Sequence, residues 1–217
     1  MFFVYGLLFI VMFLNTRHKP KTKNHKQQTT KLIPFKNIDK TWTLFLDRDG
    51  VINHEKPLDY IHNWDEFVFY EGVLDAIKIF SGIFNRIVVV TNQKGVGKGL
   101  TLLSDLEIIH ENMKAQIKAA GGHIDEVYFC PDLDEQSPYR KPNPGMGLKA
   151  KAQFPEIDFK KSIMIGNTLG DMEFGRNLGI LTVFLSTTRP EVSSEDPRID
   201  LYLNSLQNFA DLLKKRL

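Results

Sequence analysis

After residue 41 the chain alternates short apolar runs with segments of helical period, and that alternation leaves few folds open. Ile87-Val88-Val89-Val90, within Arg86–Thr91, is a β-branched run suited to a strand buried on both faces. Comparable runs at Thr41–Leu46, Asp125–Phe129, Ser162–Ile165 and Leu181–Leu185 predict further strands, with Tyr202–Leu203 as a short sixth. Between them, Gly72–Ser81 places Val73, Ile77 and Phe80 on one helical face, and Leu106, Ile109, Met113 and Ile117 do the same for a helix from about Thr101 to Ala120. Leu169–Leu178, closed by Gly179, and a last segment near 205–215 complete the helices. Strands alternating with helices predict an α/β fold built on a doubly wound parallel sheet.

The chain has 217 residues, 42% apolar and 25% charged, which suits one globular domain. Residues 17–40 hold eight Lys/Arg and one Asp, a charge of +7, so with +2 for the whole chain the remainder carries −5. That acidic body gives no support for nucleic-acid binding. The single cysteine, Cys130, excludes an intrachain disulfide and a Cys-rich zinc site. It agrees with a reducing compartment, and a cytoplasmic protein is expected.

Met1–Asn15 is almost wholly apolar but short of the roughly 20 residues that span a bilayer. No positive charge precedes it and no small-residue cleavage site follows; the charges begin at Arg17. A short membrane anchor, an atypical signal and extra residues ahead of the true start all remain open. Residues 16–40 read as a basic, disordered linker, or as a segment held near anionic lipid if the anchor is real. The folded domain is expected over 41–217.

Polar groups recur where strands end. Asp47 and Asp49 follow the first strand, Thr91-Asn92-Gln93 ends the second, Arg140-Lys141-Pro142 lies in the loop after the third, and Gly166-Asn167-Thr168-Leu169-Gly170-Asp171 follows the fourth. In a parallel sheet these tips share one edge, where open α/β sheets bind ligands. Two acids, a hydroxyl, two cations and an amide/acid pair suit phosphoryl transfer, which needs cations around phosphate oxygens and a metal to offset the carboxylates. Singly, each has a plainer explanation: an acidic turn, a strand-end cap at Thr91, a solvated charge at Lys141, a helix-dipole partner at Asp171.

These four segments resemble, in order, the four motifs of the haloacid dehalogenase-like phosphatases. Asp-Arg-Asp-Gly-Val-Ile-Asn, Val-Val-Val-Thr-Asn-Gln, Cys-Pro and Arg-Lys-Pro-Asn-Pro-Gly-Met are similar to the D-glycero-D-manno-heptose-1,7-bisphosphate phosphatase and histidinol-phosphatase branch. The resemblance covers about residues 41–215. It implies that Asp47 attacks phosphorus to form an aspartyl-phosphate and that Asp49 moves the proton. Thr91 and Lys141 would hold phosphate oxygens, and Asn92, Gln93, Arg140 and Thr168 would contact substrate. Mg²⁺ would sit on Asp47, the Asp49 carbonyl and Asn167, with Asp171 behind them. The implied substrate is a small phosphorylated metabolite, best a heptose bisphosphate; histidinol phosphate and a polynucleotide 3′-phosphate are alternatives. A monomer is expected.

Spacing and spelling add three expectations. Only 17 residues separate Asn53 from Glu71, and the predicted helix and strand use most of the length between Lys94 and Arg140, so the site should be capless, with loops 54–62 and 94–99 shaping access. The branch often has a Cys/His zinc cluster after the third strand; here Cys130 stands alone, with Asp132 and Ser137–Tyr139 in place of other ligands, so no zinc is expected. Motif four reads Gly166-Asn167 where Gly-Asp is usual, which removes one negative charge from the metal and leaves open a weakly active or non-catalytic binder of phosphorylated ligands.

Overall fold

The computed structural model describes residues 37–215. The apolar segment 1–15 and most of the basic segment 16–40 lie outside the described residues. Six parallel strands form one sheet in the order β3-β2-β1-β4-β5-β6. They are β1 (Thr43–Leu46), β2 (Arg86–Asn92), β3 (Glu126–Cys130), β4 (Ser162–Gly166), β5 (Leu181–Leu185) and β6 (Leu201–Leu203). The helices are α1 (Val73–Ile83), a single turn α2 (Lys94–Gly97), α3 (Leu103–Ala119), α4 (Gly145–Gln153), α5 (Leu169–Leu178) and α6 (Leu206–Lys214). Folded structure starts slightly upstream of β1: Ile38 is buried in the core.

Alternation along the strands builds two cores. Leu44, Leu46, Ile87, Val89, Ile163 and Ile165 face one side, where α1, α3 and α6 cover them. Phe45, Val88, Val90 and Met164 face the other, with Met146 and Ala150 of α4 and Phe174 of α5. Phe80 ties α1 to α6, its ring centroid 5.7 Å from that of Phe209. Fully burying such side chains stabilises the fold by about 1.5–3 kcal/mol each. The strand order is that of a doubly wound sheet, and its reversal between β1 and β4 opens the crevice at the C-terminal edge.

Helix α4 is absent from the sequence reading. Pro142, Pro144, Gly145 and Gly147 mark its start as a turn, and its buried face is made of Gly145, Met146, Gly147 and Ala150 rather than large apolar residues. The glycine-rich loop after β2 also contains one helical turn, α2. No cap-sized unit interrupts the described elements: only a three-residue 3-10 turn, Trp64–Glu66, lies between β1 and α1. Among the described residues no helix is long and apolar enough to cross a membrane.

Candidate active site

Asp47 continues β1 beyond its last paired residue, its backbone N–H donating to the Ile165 carbonyl at 2.9 Å. Its side chain meets Lys141, whose Nζ donates to Asp47 Oδ1 at 2.8 Å and pairs with Asp171 Oδ1 at 2.6 Å. All three are buried. Burial pushes the Asp47 carboxyl up, Lys141 opposes the rise and Asp171 adds to it, and the result is about 7. Burial alone would lower Lys141, but the two carboxylates outweigh it and hold the ammonium above its ordinary range.

Asp49 lies in a different setting. The fully buried Arg48 turns its guanidinium onto it, with Nη2 at 2.9 Å from both carboxylate oxygens and Nε at 3.2 Å from Oδ1. Asn53 Nδ2 donates to Oδ1 at 2.9 Å and Gln93 Nε2 to Oδ2 at 2.8 Å. Burial would raise this carboxyl, yet Arg48 and the two amides overcome it and hold it below the usual range. Behind Arg48, Nη1 lies 3.1 Å from His110 Nε2. Burial and the neighbouring guanidinium push His110 down to about 3, so it is neutral and accepts from Arg48.

The residues expected to contact substrate are largely engaged within the protein. Asn92 Nδ2 donates to the Lys141 carbonyl and its Oδ1 accepts from the Lys141 N–H, both at 3.0 Å, so it fixes the Lys141 backbone. Gln93 bridges Asp49 and Thr91, donating to Thr91 Oγ1 at 2.9 Å. Thr168 is the N-cap of α5: its hydroxyl donates to Asp171 Oδ2 at 2.7 Å, and its N–H donates to the same oxygen at 3.0 Å. The geometry gives Thr168 a capping box, with its hydroxyl spent on Asp171. Arg140 stands partly exposed at the rim, its Nη1 3.3 Å from the Asp132 carbonyl.

Asn167 is fully buried against the loop after β1. A Cβ on Gly50 would sit 2.0 Å from Asn167 Nδ2, and Gly50 has φ +82°, so only glycine suits that position. Asn167 Oδ1 is buried without a hydrogen-bond partner. Mg²⁺ takes oxygen ligands, and the Asp47 carboxylate, the Asp49 backbone carbonyl and this amide oxygen without a donor are groups of that kind.

After β3, Cys130 is buried and its thiol is pushed up by that burial. Ser137 Oγ donates to Asp132 Oδ2, and Asn143 Nδ2 donates to the Ser137 carbonyl at 2.8 Å, so hydroxyl, carboxylate and amide close this loop. Loops 54–62 and 94–99 touch each other: a Cβ on Gly95 would lie 2.9 Å from Tyr60 Cγ. A groove of about 1280 Å³ opens beside the crevice, lined by Val51, Tyr70, Asp75, Thr187, Ser205 and Gln207; Asp47, Asp49 and Lys141 do not line it.

Arg48 and His110 belong to the site although the order of polar strand ends does not point to them. Signals existed: an arginine directly after a buried strand, and a histidine on the Leu106–Ile109–Met113–Ile117 face of α3.

A family model described as polynucleotide kinase 3 phosphatase matches residues 43–198. The D-glycero-alpha-D-manno-heptose-1,7-bisphosphate 7-phosphatase of Mycobacterium tuberculosis is 35% identical over 170 residues, 78% of this chain and 90% of that protein. The Campylobacter jejuni enzyme of the same name is 39% identical over 146 residues, 67% of this chain and 83% of that protein. The D-glycero-beta-D-manno-heptose-1,7-bisphosphate 7-phosphatase of Salmonella typhi is 33% identical, covering 80% of this chain and 95% of that protein. The fold matches the D,D-heptose 1,7-bisphosphate phosphatase of B. bronchiseptica, solved with magnesium and phosphate, at a TM-score of 0.71 and 24% identity over 81% of this chain and 99% of that one.

Proposed function

The chain belongs to the haloacid dehalogenase-like phosphatases, in the heptose-1,7-bisphosphate phosphatase branch, and on that premise we propose that it removes a phosphate from D-glycero-D-manno-heptose 1,7-bisphosphate. It is a phosphoric monoester hydrolase. The observation that carries the finer reading is the contrast between two carboxylates two residues apart: Asp47 in contact with a buried lysine, Asp49 clamped by a buried arginine.

Asp47 is the nucleophile. Lys141 keeps it oriented and, with Thr91, receives the phosphate oxygens as charge builds on them. Asp49 is ionised in the free protein; an incoming phosphate adds negative charge beside it and raises its proton affinity, so it can hand a proton to the leaving oxygen and later take one from water. The aspartyl-phosphate on Asp47 is the covalent intermediate. Asp47, the Asp49 carbonyl and Asn167 Oδ1 would hold Mg²⁺, which supplies charge neutralisation at the phosphoryl group. Asp171 acts through Lys141. With Asn92, Gln93 and Thr168 engaged internally, Arg140 is the exposed group left to read the rest of the substrate.

Phosphate release from both anomers of the heptose bisphosphate, histidinol phosphate and a 3′-phosphorylated oligonucleotide, with Mg²⁺ or with chelator, tests this reading. The heptose bisphosphate is expected to turn over fastest, only with Mg²⁺, and Asp47→Asn should lower kcat by about 10⁴-fold or more. The description of the matching family favours a second reading, a polynucleotide 3′-phosphatase. The −5 charge of residues 41–217 opposes it, and preference for the oligonucleotide would establish it. No release from any substrate by the wild type, with turnover restored by Asn167→Asp, would establish a phospho-ligand binder instead.

A further inference from the structure

An asparagine at position 167 brings no charge to the proposed metal, yet the surrounding side chains hold its amide in a defined orientation. Asn167 Nδ2 donates to Thr188 Oγ1 at 2.7 Å and lies 3.4 Å from Glu55 Oε2. A carboxylate only accepts hydrogen bonds, so Glu55 settles which end of the amide faces it. The NH₂ group turns toward Glu55 and Thr188, and Oδ1 turns away from them, buried and without a donor. Glu55 comes from the loop after β1, and its side chain is 24% exposed. Its other oxygen, Oε1, lies 3.4 Å from Arg189 Nη1, which steadies the carboxylate at the crevice rim.

We propose that Glu55 acts as an indirect partner of the magnesium site: it orients and polarises the Asn167 amide and returns, from behind that ligand, the negative charge that asparagine lacks. The inference rests on the metal site proposed above. A hydrogen-bonded carboxylate behind a ligand raises the electron density of the ligand's donor atom and fixes its direction. It also attracts the cation directly, through a partly buried medium that screens less than water.

The test is a double-mutant cycle read by metal binding rather than by activity. Mn²⁺ is titrated into the metal-free full chain and free Mn²⁺ is followed by electron paramagnetic resonance, for wild type, Glu55→Gln, Asn167→Asp and the double variant. Glu55→Gln is expected to weaken Mn²⁺ binding about tenfold in the wild type. Asn167→Asp is expected to tighten it. In the Asn167→Asp background the effect of Glu55→Gln should vanish or change sign, because an aspartate carries its own charge, cannot donate to Glu55 and is repelled by it. An equal loss in both backgrounds would show that Glu55 merely holds the loop and would overturn the inference. So would unchanged Mn²⁺ affinity in Glu55→Gln beside a wild type that binds. Failure of the wild type to bind Mn²⁺ would remove the metal site itself, and the inference with it.

Discussion

The Lys141 cluster and the Arg48 cluster sit side by side on the same sheet edge and treat one chemical group in opposite ways. Lys141 is shared by two carboxylates, Asp47 and Asp171. Burial pushes Asp47 up, and one cation shared with Asp171 does not cancel the rise, so Asp47 reaches about 7. Arg48 faces a single carboxylate, Asp49, two amides assist it, and Asp49 falls below its ordinary value. Burial is the largest influence on both acids and pushes both up; the difference between them lies in how many carboxylates share each buried cation. The result is a pair of acids held apart in proton affinity, the arrangement that divides nucleophile from proton carrier.

Breaking the first cluster should have the largest effect. Lys141→Gln is expected to lower kcat by about 10²–10³-fold, as for loss of one donor to developing charge, while urea unfolding shows a folded protein. If kcat holds, Lys141 only neutralises its neighbours. Breaking the second should register as stability. Arg48→Met removes the charge facing Asp49 and is expected to cost about 3 kcal/mol of unfolding free energy in urea titration, near the low end for a buried pair because Asp49 keeps 27% of its side-chain surface open. A change below about 1 kcal/mol would mean that solvent replaces the guanidinium.

The third expectation separates the two acids by pH. Asp47, raised to about 7, must lose a proton to ligate a cation, so apparent Mg²⁺ affinity should fall as pH drops below 7, by up to about tenfold per unit, followed by calorimetry. In the metal-free protein the same group holds a proton between its ordinary 3.8 and about 7 that the unfolded chain has lost, so its contribution makes stability fall as pH rises through that window. Asp49 has the opposite sign: it adds stability above 3.8, lost as pH falls through its lowered folded value. Asp47→Asn should remove only the first component. The smallest effect belongs to Thr168→Ala, expected to cost about 1 kcal/mol as a lost helix cap while KM stays unchanged in steady-state assays. A raised KM would return Thr168 to the substrate.

Much of the fold was legible because burial on both faces of a parallel sheet leaves a strong mark. Ile87–Val90 and Leu181–Leu185 are runs that suit little else, and Gly179, at φ +73°, closes α5 where its position suggested. Helix α4 was not legible, since its packing depends on the small residues Gly145, Gly147 and Ala150 lying close to neighbours, which leaves no large apolar stripe. For the site, the order of polar strand ends carried the chemistry, but not the partners. Nothing local to Asn92 shows that its amide reaches a peptide 49 residues away, and nothing local to Arg48 shows that His110 receives it. Such pairings belong to the tertiary structure, where buried polar groups must find one another.

The hold of Asn92 on Lys141 has one more consequence. A primary amide offers a carbonyl and an N–H side by side, the same pair that a strand edge offers to its neighbour. By donating to the carbonyl and accepting from the N–H of one residue, the Asn92 side chain adds Lys141 to the sheet as if by a single extra rung, although that residue lies in a loop. An aspartate at 92 could accept but not donate, and the rung would be half lost.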